Sequence, residues 1–69
     1  MILVTLYKDK NTLNPYQKFT ISHFDIRYDD KTVKFLVTDA KNWEEYRYTD
    51  IRTYREDKVY FIDVFGMKI

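Results

Sequence analysis

The chain lacks cysteine altogether and has only one glycine and one proline among its 69 residues. Without cysteine it can form neither a disulfide nor a thiolate metal site. A small cysteine-free protein suits a reducing compartment, so we expect a cytoplasmic protein. A single glycine excludes a glycine-rich phosphate-binding loop, and with it the nucleotide chemistry that such a loop supports.

Long hydrophobic runs are missing too. No segment approaches the roughly 18 consecutive apolar residues that a membrane helix requires. The apolar run at the N-terminus is short, has no basic flank before it and is followed by charged residues. We therefore predict a first β-strand there instead of a signal peptide, and no membrane association.

Charge of one sign is also absent, because 12 Lys and Arg residues face 11 Asp and Glu residues, for a net charge of +1. Binding to nucleic acid through phosphates depends on a positive field that this composition does not provide. The balance therefore disfavours a general polyanion binder.

Residue types that perform catalysis are few and lie in no recognisable motif. His23 is the only histidine and Ser22 the only serine. Three carboxylate pairs are present: Asp29-Asp30, Glu44-Glu45 and Glu56-Asp57. Adjacent carboxylates on a strand point to opposite faces, and acidic residues at turns are commonly solvated. The sequence therefore predicts no enzyme, no metal site and no cofactor.

Aromatic residues are abundant, at 19% of the chain. Each buried ring removes roughly 150–250 Å² from water, so a short chain can fill a core with them. Runs of β-branched and aromatic residues with period-two alternation predict strands. The predicted strands cover residues 2–7, 16–28, 32–38, 43–54 and 58–65, with turns at 29–31 and 55–58.

Two of these strands change the phase of their alternation. In the second, the change predicts a β-bulge near Ser22-His23 or a junction of two shorter strands. In the fourth, Tyr46 and Tyr48 share one parity and Ile51 has the other, which predicts a kink at Thr49-Asp50. A short helix near residues 39–46, capped by Asp39, is the alternative for this region.

The predicted fold is a single all-β domain spanning residues 1–69. It is a small, twisted antiparallel meander or an open SH3-like barrel of five to six strands. The pattern Tyr46-x-Tyr48-x-Asp50-Ile51 resembles the strand-turn-strand corner of SH3-like and Sm-like small barrels, and this resemblance implies a geometry but no activity. The predicted core is Ile2, Val4, Leu6, Phe19, Ile21, Val33, Phe35, Val37, Ile51, Val59, Phe61 and Trp43.

Residues 43–55 hold the only tryptophan together with tyrosines and arginines, the residue types enriched at protein interfaces. The predicted partner-binding residues are Trp43, Tyr46, Arg47, Tyr48, Arg52, Tyr54 and Arg55. The leading interpretation is a non-enzymatic module that binds a protein partner, such as a small adaptor or inhibitor encoded by a phage or mobile element.

Two other interpretations of the same residues stay open. The tyrosines could stack on the bases of single-stranded nucleic acid while the arginines contact its phosphates. Alternatively, the first and last strands, which have little proline or charge to protect them, could join copies of the chain edge to edge as a homo-oligomer.

Overall fold

A computed structural model describes residues 1–39 and 41–69 and contains five β-strands. The strands are β1 (Ile2–Tyr7), β2 (Gln17–Arg27), β3 (Thr32–Val37), β4 (Trp43–Glu56) and β5 (Val59–Lys68). Consecutive strands pair antiparallel, and β5 pairs in parallel with β1, which closes the ring. The predicted all-β antiparallel meander is confirmed, and the barrel is closed where an open one was also expected.

Two long strands bend so that each one serves two neighbours. β2 pairs with β1 up to Ile21 and with β3 from there on, and its register shifts between Ile21 and His23. β4 pairs first with β3 and then with β5, with a register shift between Tyr48 and Asp50. A bulge adds a residue and bends a strand. The two changes of phase in the sequence therefore correspond to real irregularities.

The segment before β4 contains no helix among the residues described. Trp43 already begins β4, so the helical alternative for residues 39–46 is wrong over its described part, while Ala40 lies outside the described residues. Alternation decides the outcome, because a strand sends Tyr46 and Tyr48 to the same side, into the core.

The core lies inside the ring and consists of buried aliphatic and aromatic side chains. Its members are Val4, Leu6, Ile21, Val33, Phe35, Tyr46, Tyr48, Ile62 and Val64. The first five of these were predicted. Ile2, Phe19 and Ile51, also predicted, pack against the core while partly buried.

Four predicted core positions require correction, and the first of them, Val37, is only half-buried and does not belong to the core. On β5 the inward residues are Ile62 and Val64, whereas Phe61 lies on the opposite side of the strand and Val59 is only half-buried. Both sides of β5 are apolar, so alternation alone did not reveal which side faces inward. Trp43 is 53% exposed and is not a core residue.

The last strand was predicted to stop at residue 65, just before Gly66. In the structure, β5 continues through Gly66, which lies opposite Tyr48. A Cβ atom placed on Gly66 would collide with the backbone of Arg47 and Tyr48. The two strands approach so closely beside the bulge of β4 that only glycine fits there.

The first and last strands are not the free edges that the sequence suggested. β1 pairs with β5 from Ile2↔Tyr60 to Tyr7↔Phe65, and each strand also has an antiparallel neighbour on its other side. Ring closure removes edges at both strands. The stretches of these two strands that pair with each other, Ile2–Tyr7 and Tyr60–Phe65, therefore offer no free edge for self-association.

Within the described ranges, we find no helix with the length and apolar character needed to cross a membrane.

Candidate interaction surface

The outer side of β1, β4 and β5 carries aromatic side chains in addition to those of the core. Residues directly opposite one another on paired strands share a face of the sheet. Tyr7 lies opposite Phe65, and Phe61 lies opposite Tyr54, all on the side away from Ile62 and Val64. We call this surface the outer aromatic face, and it comprises Tyr7, Arg52, Tyr54, Phe61, Asp63 and Phe65.

The four rings form two stacked pairs across neighbouring strands. The ring centroids of Tyr7 and Phe65 are 4.9 Å apart with an interplanar angle of 12°, and Tyr54 and Phe61 show the same values. This separation matches the spacing of about 4.7–4.9 Å between paired strands. The backbone register therefore holds each pair of rings in place.

A carboxylate lies between the two ring pairs. Asp63 faces outward between Phe61 and Phe65, yet it is only 4% exposed. Its Oδ2 atom is 3.4 Å from Nη2 of Arg52, whose guanidinium also lies 5.0 Å from the ring centroid of Phe65. Arg52 thus joins the carboxylate to the aromatic face through an ion pair and a cation–π contact.

Burial determines the protonation behaviour of this carboxylate. Loss of water contact raises the pKa of Asp63, and the nearby charges of Arg52 and Lys18 and the hydroxyl of Tyr54 oppose that rise. The net direction is upward, so burial outweighs the favourable partners. The pKa of Tyr54 is also raised, first by burial and then by the negative charges of Asp63 and Glu56.

The loop between β1 and β2 extends the outer aromatic face sideways. An open depression of about 330 Å³ is lined by Tyr7, Lys10, Thr12, Leu13, Asp50, Arg52 and Phe65. Nζ of Lys10 lies 3.5 Å from Oδ2 of Asp50 and ties the loop to β4. Leu13 is 91% exposed at the rim. The surface therefore combines stacked rings with charged residues, including the buried Asp63 between the two ring pairs.

Two of the predicted partner-binding residues belong to the core instead. Tyr46 is 2% exposed and Tyr48 is 5% exposed, so neither can contact a partner in this fold. The Tyr46 hydroxyl donates to Glu44 Oε1 at 2.7 Å, and the Tyr48 hydroxyl donates to the backbone oxygen of Arg27 at 2.9 Å. Burial, reinforced for Tyr46 by Glu44, raises the pKa of both phenols. These hydrogen bonds explain how two tyrosines can serve as core residues.

The other predicted residues are exposed but do not form one patch. Arg52 and Tyr54 lie on the outer aromatic face. Arg47 lies opposite Met67, and Arg55 lines a separate depression with Lys58 and Tyr60.

Trp43 lies on the other half of the barrel, where it lines an open depression of about 460 Å³ with Asp25, Lys34 and Glu45. The bend in β4 separates this region from the outer aromatic face. The exposed members of the predicted set therefore lie in separate regions of the surface.

Sequence reasoning missed the members of the face on β1 and β5, namely Tyr7, Phe61, Asp63 and Phe65. The available signal was that both strands are apolar on both sides, which indicates a covered outer side. A strand buried only toward the core would show polar residues at those positions.

No family model, curated protein or solved structure matches the chain. The interpretation of the surface therefore depends on its geometry alone.

Proposed function

We propose that the chain is a non-enzymatic module that binds a protein partner through the outer aromatic face. The observation that carries this proposal is the stacked ring pair of Tyr54, which is exposed, and Phe61, which is half-buried, beside Arg52. Tyr54 is 43% exposed, and the Arg52 side chain is 61% exposed. Tyrosine and arginine are enriched among the residues that dominate binding energy at protein interfaces.

The geometry favours a protein partner over single-stranded nucleic acid. A base needs an open ring face on which to stack. Phe65 has none, because Tyr7 on β1 and Arg52 on β4 approach its ring from the two opposite sides of β5. Arg52 is also engaged by Asp63, which reduces its attraction for a phosphate. Tyr54 still has one open ring face. The covered ring of Phe65 and the engagement of Arg52 nevertheless make nucleic-acid binding by this face the weaker proposal.

No cluster of at least three metal-ligating side chains occurs in the described ranges, and His23 is an exposed residue whose Nδ1 lies 3.1 Å from the Ser22 hydroxyl. The cytoplasmic location and the role of a phage-encoded adaptor or inhibitor remain predictions from composition and size.

The test is affinity capture from a lysate of the source cell with the tagged chain, performed with and without nuclease. We expect a protein that survives nuclease treatment and is lost with Tyr54→Ala. Tyr28→Ala is the matched control, because Tyr28 is 69% exposed in the β2–β3 turn and should retain the partner. Circular dichroism confirms that each variant is folded.

Two results would contradict the proposal. Recovery that disappears with nuclease would indicate a nucleic-acid partner. Equal recovery by the native chain and Tyr54→Ala would show that the partner binds elsewhere.

A further inference from the structure

The second half of β4 is paired on one side only. From Asp50 to Glu56 it pairs with β5, and none of the described residues pairs with its other side. Every residue from Arg52 to Lys58 is exposed. A strand with one unpaired side presents N–H and C=O groups that can accept another strand.

The side chains along this edge alternate in charge on the outer side of the sheet. Asp50, Arg52, Tyr54 and Glu56 lie opposite the outward residues of β5. Read along the strand, they are negative, positive, neutral and negative. If a second strand with the same sequence runs in the opposite direction and the two Tyr54 residues face each other, the positive Arg52 of one strand faces the negative Glu56 of the other.

We propose that this edge pairs antiparallel with the same edge of a second copy of the chain, with Tyr54 facing Tyr54 across a twofold axis. In this register Arg52 of each copy faces Glu56 of the other. Asp50 of each copy comes level with the turn that carries Lys58 of the other. Opposite charges directly across an antiparallel pair are stabilising, and the symmetry makes each favourable pair occur twice.

Neighbouring registers fail on charge. One copy of β4 can slide along the other while the outer sides of both sheets stay on the same side. The neighbouring registers reached in this way place the twofold axis at Arg52, Thr53 or Arg55. An axis at Arg52 or at Arg55 places that arginine against itself. An axis at Thr53 places Asp50 against Glu56. Like charges directly opposite are destabilising, so the register centred on Tyr54 is selected.

The aromatic residues fit the same register. Tyr54 stacks on Phe61 with one ring face at a separation of 4.9 Å, which equals a strand spacing. Its exposed side is directed at the unpaired edge, where the second Tyr54 would stand one strand away. The row of stacked rings would then continue through the twofold axis from one copy into the other.

Sedimentation over a concentration series tests the pairing. We expect the mass of the native chain to rise from 8.6 kDa toward twice that value as concentration increases. Glu56→Arg places two arginines opposite each other at both ends of the pairing, and we expect it to weaken the dimer at least about tenfold. Asp25→Arg is the control, since it makes the same charge change on β2, whose second half is likewise paired on one side.

Disulfide formation tests the register, because the chain has no cysteine of its own. Tyr54→Cys should link two copies on mild oxidation, because residue 54 faces itself. Glu56→Cys should link much more slowly, because residue 56 faces Arg52. A native chain that stays monomeric, a dimer unaffected by Glu56→Arg, or equally fast linkage by both cysteine variants would each overturn the proposal.

The proposed dimer shares Arg52 and Tyr54 with the outer aromatic face, so the two proposals are separated by variants at residues that only one of them uses. Phe61→Ala should lose the protein partner and keep the dimer. Glu56→Arg should lose the dimer and keep the partner. The failure of one proposal is thereby distinguished from the failure of the other.

Discussion

At the scale of single residues, Gly66 shows how closely β4 and β5 approach each other. Its φ angle is not positive, so no special backbone conformation requires glycine here. The requirement is space, because any Cβ atom would meet the backbone of Arg47 and Tyr48. Backbone atoms cannot rotate away as the end of a flexible side chain can.

Gly66→Ala is therefore expected to lower the free energy of unfolding by about 1–3 kcal/mol, the usual range for overpacking. Urea unfolding followed by circular dichroism measures the change. Met67→Ala is the neighbouring control, since Met67 is 55% exposed and should cost little. Equal stability of Gly66→Ala and the native chain would show that the two strands are not in such close contact.

Asp63 gives a pH dependence with a definite sign. Burial raises its pKa in the folded chain above the value of 3.8 expected when unfolded. The folded state therefore holds this proton more tightly. The contribution of Asp63 to stability is fully present below pH 3.8 and is lost as the pH rises through the higher folded pKa.

Asp63→Asn removes this titration while keeping the shape of the side chain. We expect the stability of the variant relative to the native chain to increase from about pH 3.8 upward and to level off above the folded pKa of Asp63. Chemical unfolding of both proteins at several pH values measures the difference. A relative stability that decreases over this range would mean that Arg52 stabilises the carboxylate by more than burial costs.

At the scale of elements, β5 is the strand that the sequence described least well. It has apolar residues on both sides, and only the neighbours on β1 and β4 determine which side faces the interior. Ile62 and Val64 are enclosed by the ring, whereas Phe61 stacks on Tyr54 outside it. Alternation identifies two faces of a strand but cannot assign them when both are apolar.

Because Ile62 faces the core and Phe61 faces outward, replacing each of these adjacent residues by alanine should lower the stability by different amounts. Ile62→Ala should cost about 2–5 kcal/mol, as expected for a large-to-small change in a core. Phe61→Ala should cost much less, although the side chain is larger, because Phe61 is only half-buried. Denaturant unfolding of the two variants provides the test. A larger loss for Phe61→Ala would place the core on the other side of β5.

The local alternation of apolar and polar residues was sufficient to predict the bends in β2 and β4 and the bounds of β1. The changes of phase near Ser22 and Thr49 were visible because each regular half of the strand has a clear apolar side. The fate of Tyr46 and Tyr48 was not visible. Tyrosine suits both a core and an interface, and their hydrogen bonds to Glu44 and Arg27 depend on the folded structure.

At the scale of the whole molecule, the parallel pairing of β1 with β5 determines the architecture. It closes the ring and brings Tyr7 beside Phe65, which are far apart in sequence. No local pattern contains this contact. The sequence therefore allowed the all-β class to be predicted, whereas ring closure and the outer aromatic face that depends on it were not foreseen.

The ring also divides the residues that the sequence had grouped together. The bend in β4 directs Trp43 to one half of the barrel and Tyr54 to the other. A single surface over residues 43–55 would need both on one side. We instead propose that a partner binds the face completed by β1 and β5.

The most direct test of this assignment is the affinity of the captured partner for three forms of the chain: native, Phe61→Ala and Trp43→Ala. Titration calorimetry gives each dissociation constant, with folding verified by circular dichroism. We expect Phe61→Ala to weaken binding by about thirtyfold, corresponding to the 2 kcal/mol of a dominant interface residue, and Trp43→Ala to leave it nearly unchanged. The opposite order, with binding lost in Trp43→Ala and kept in Phe61→Ala, would contradict the account and place the partner on the other half of the barrel.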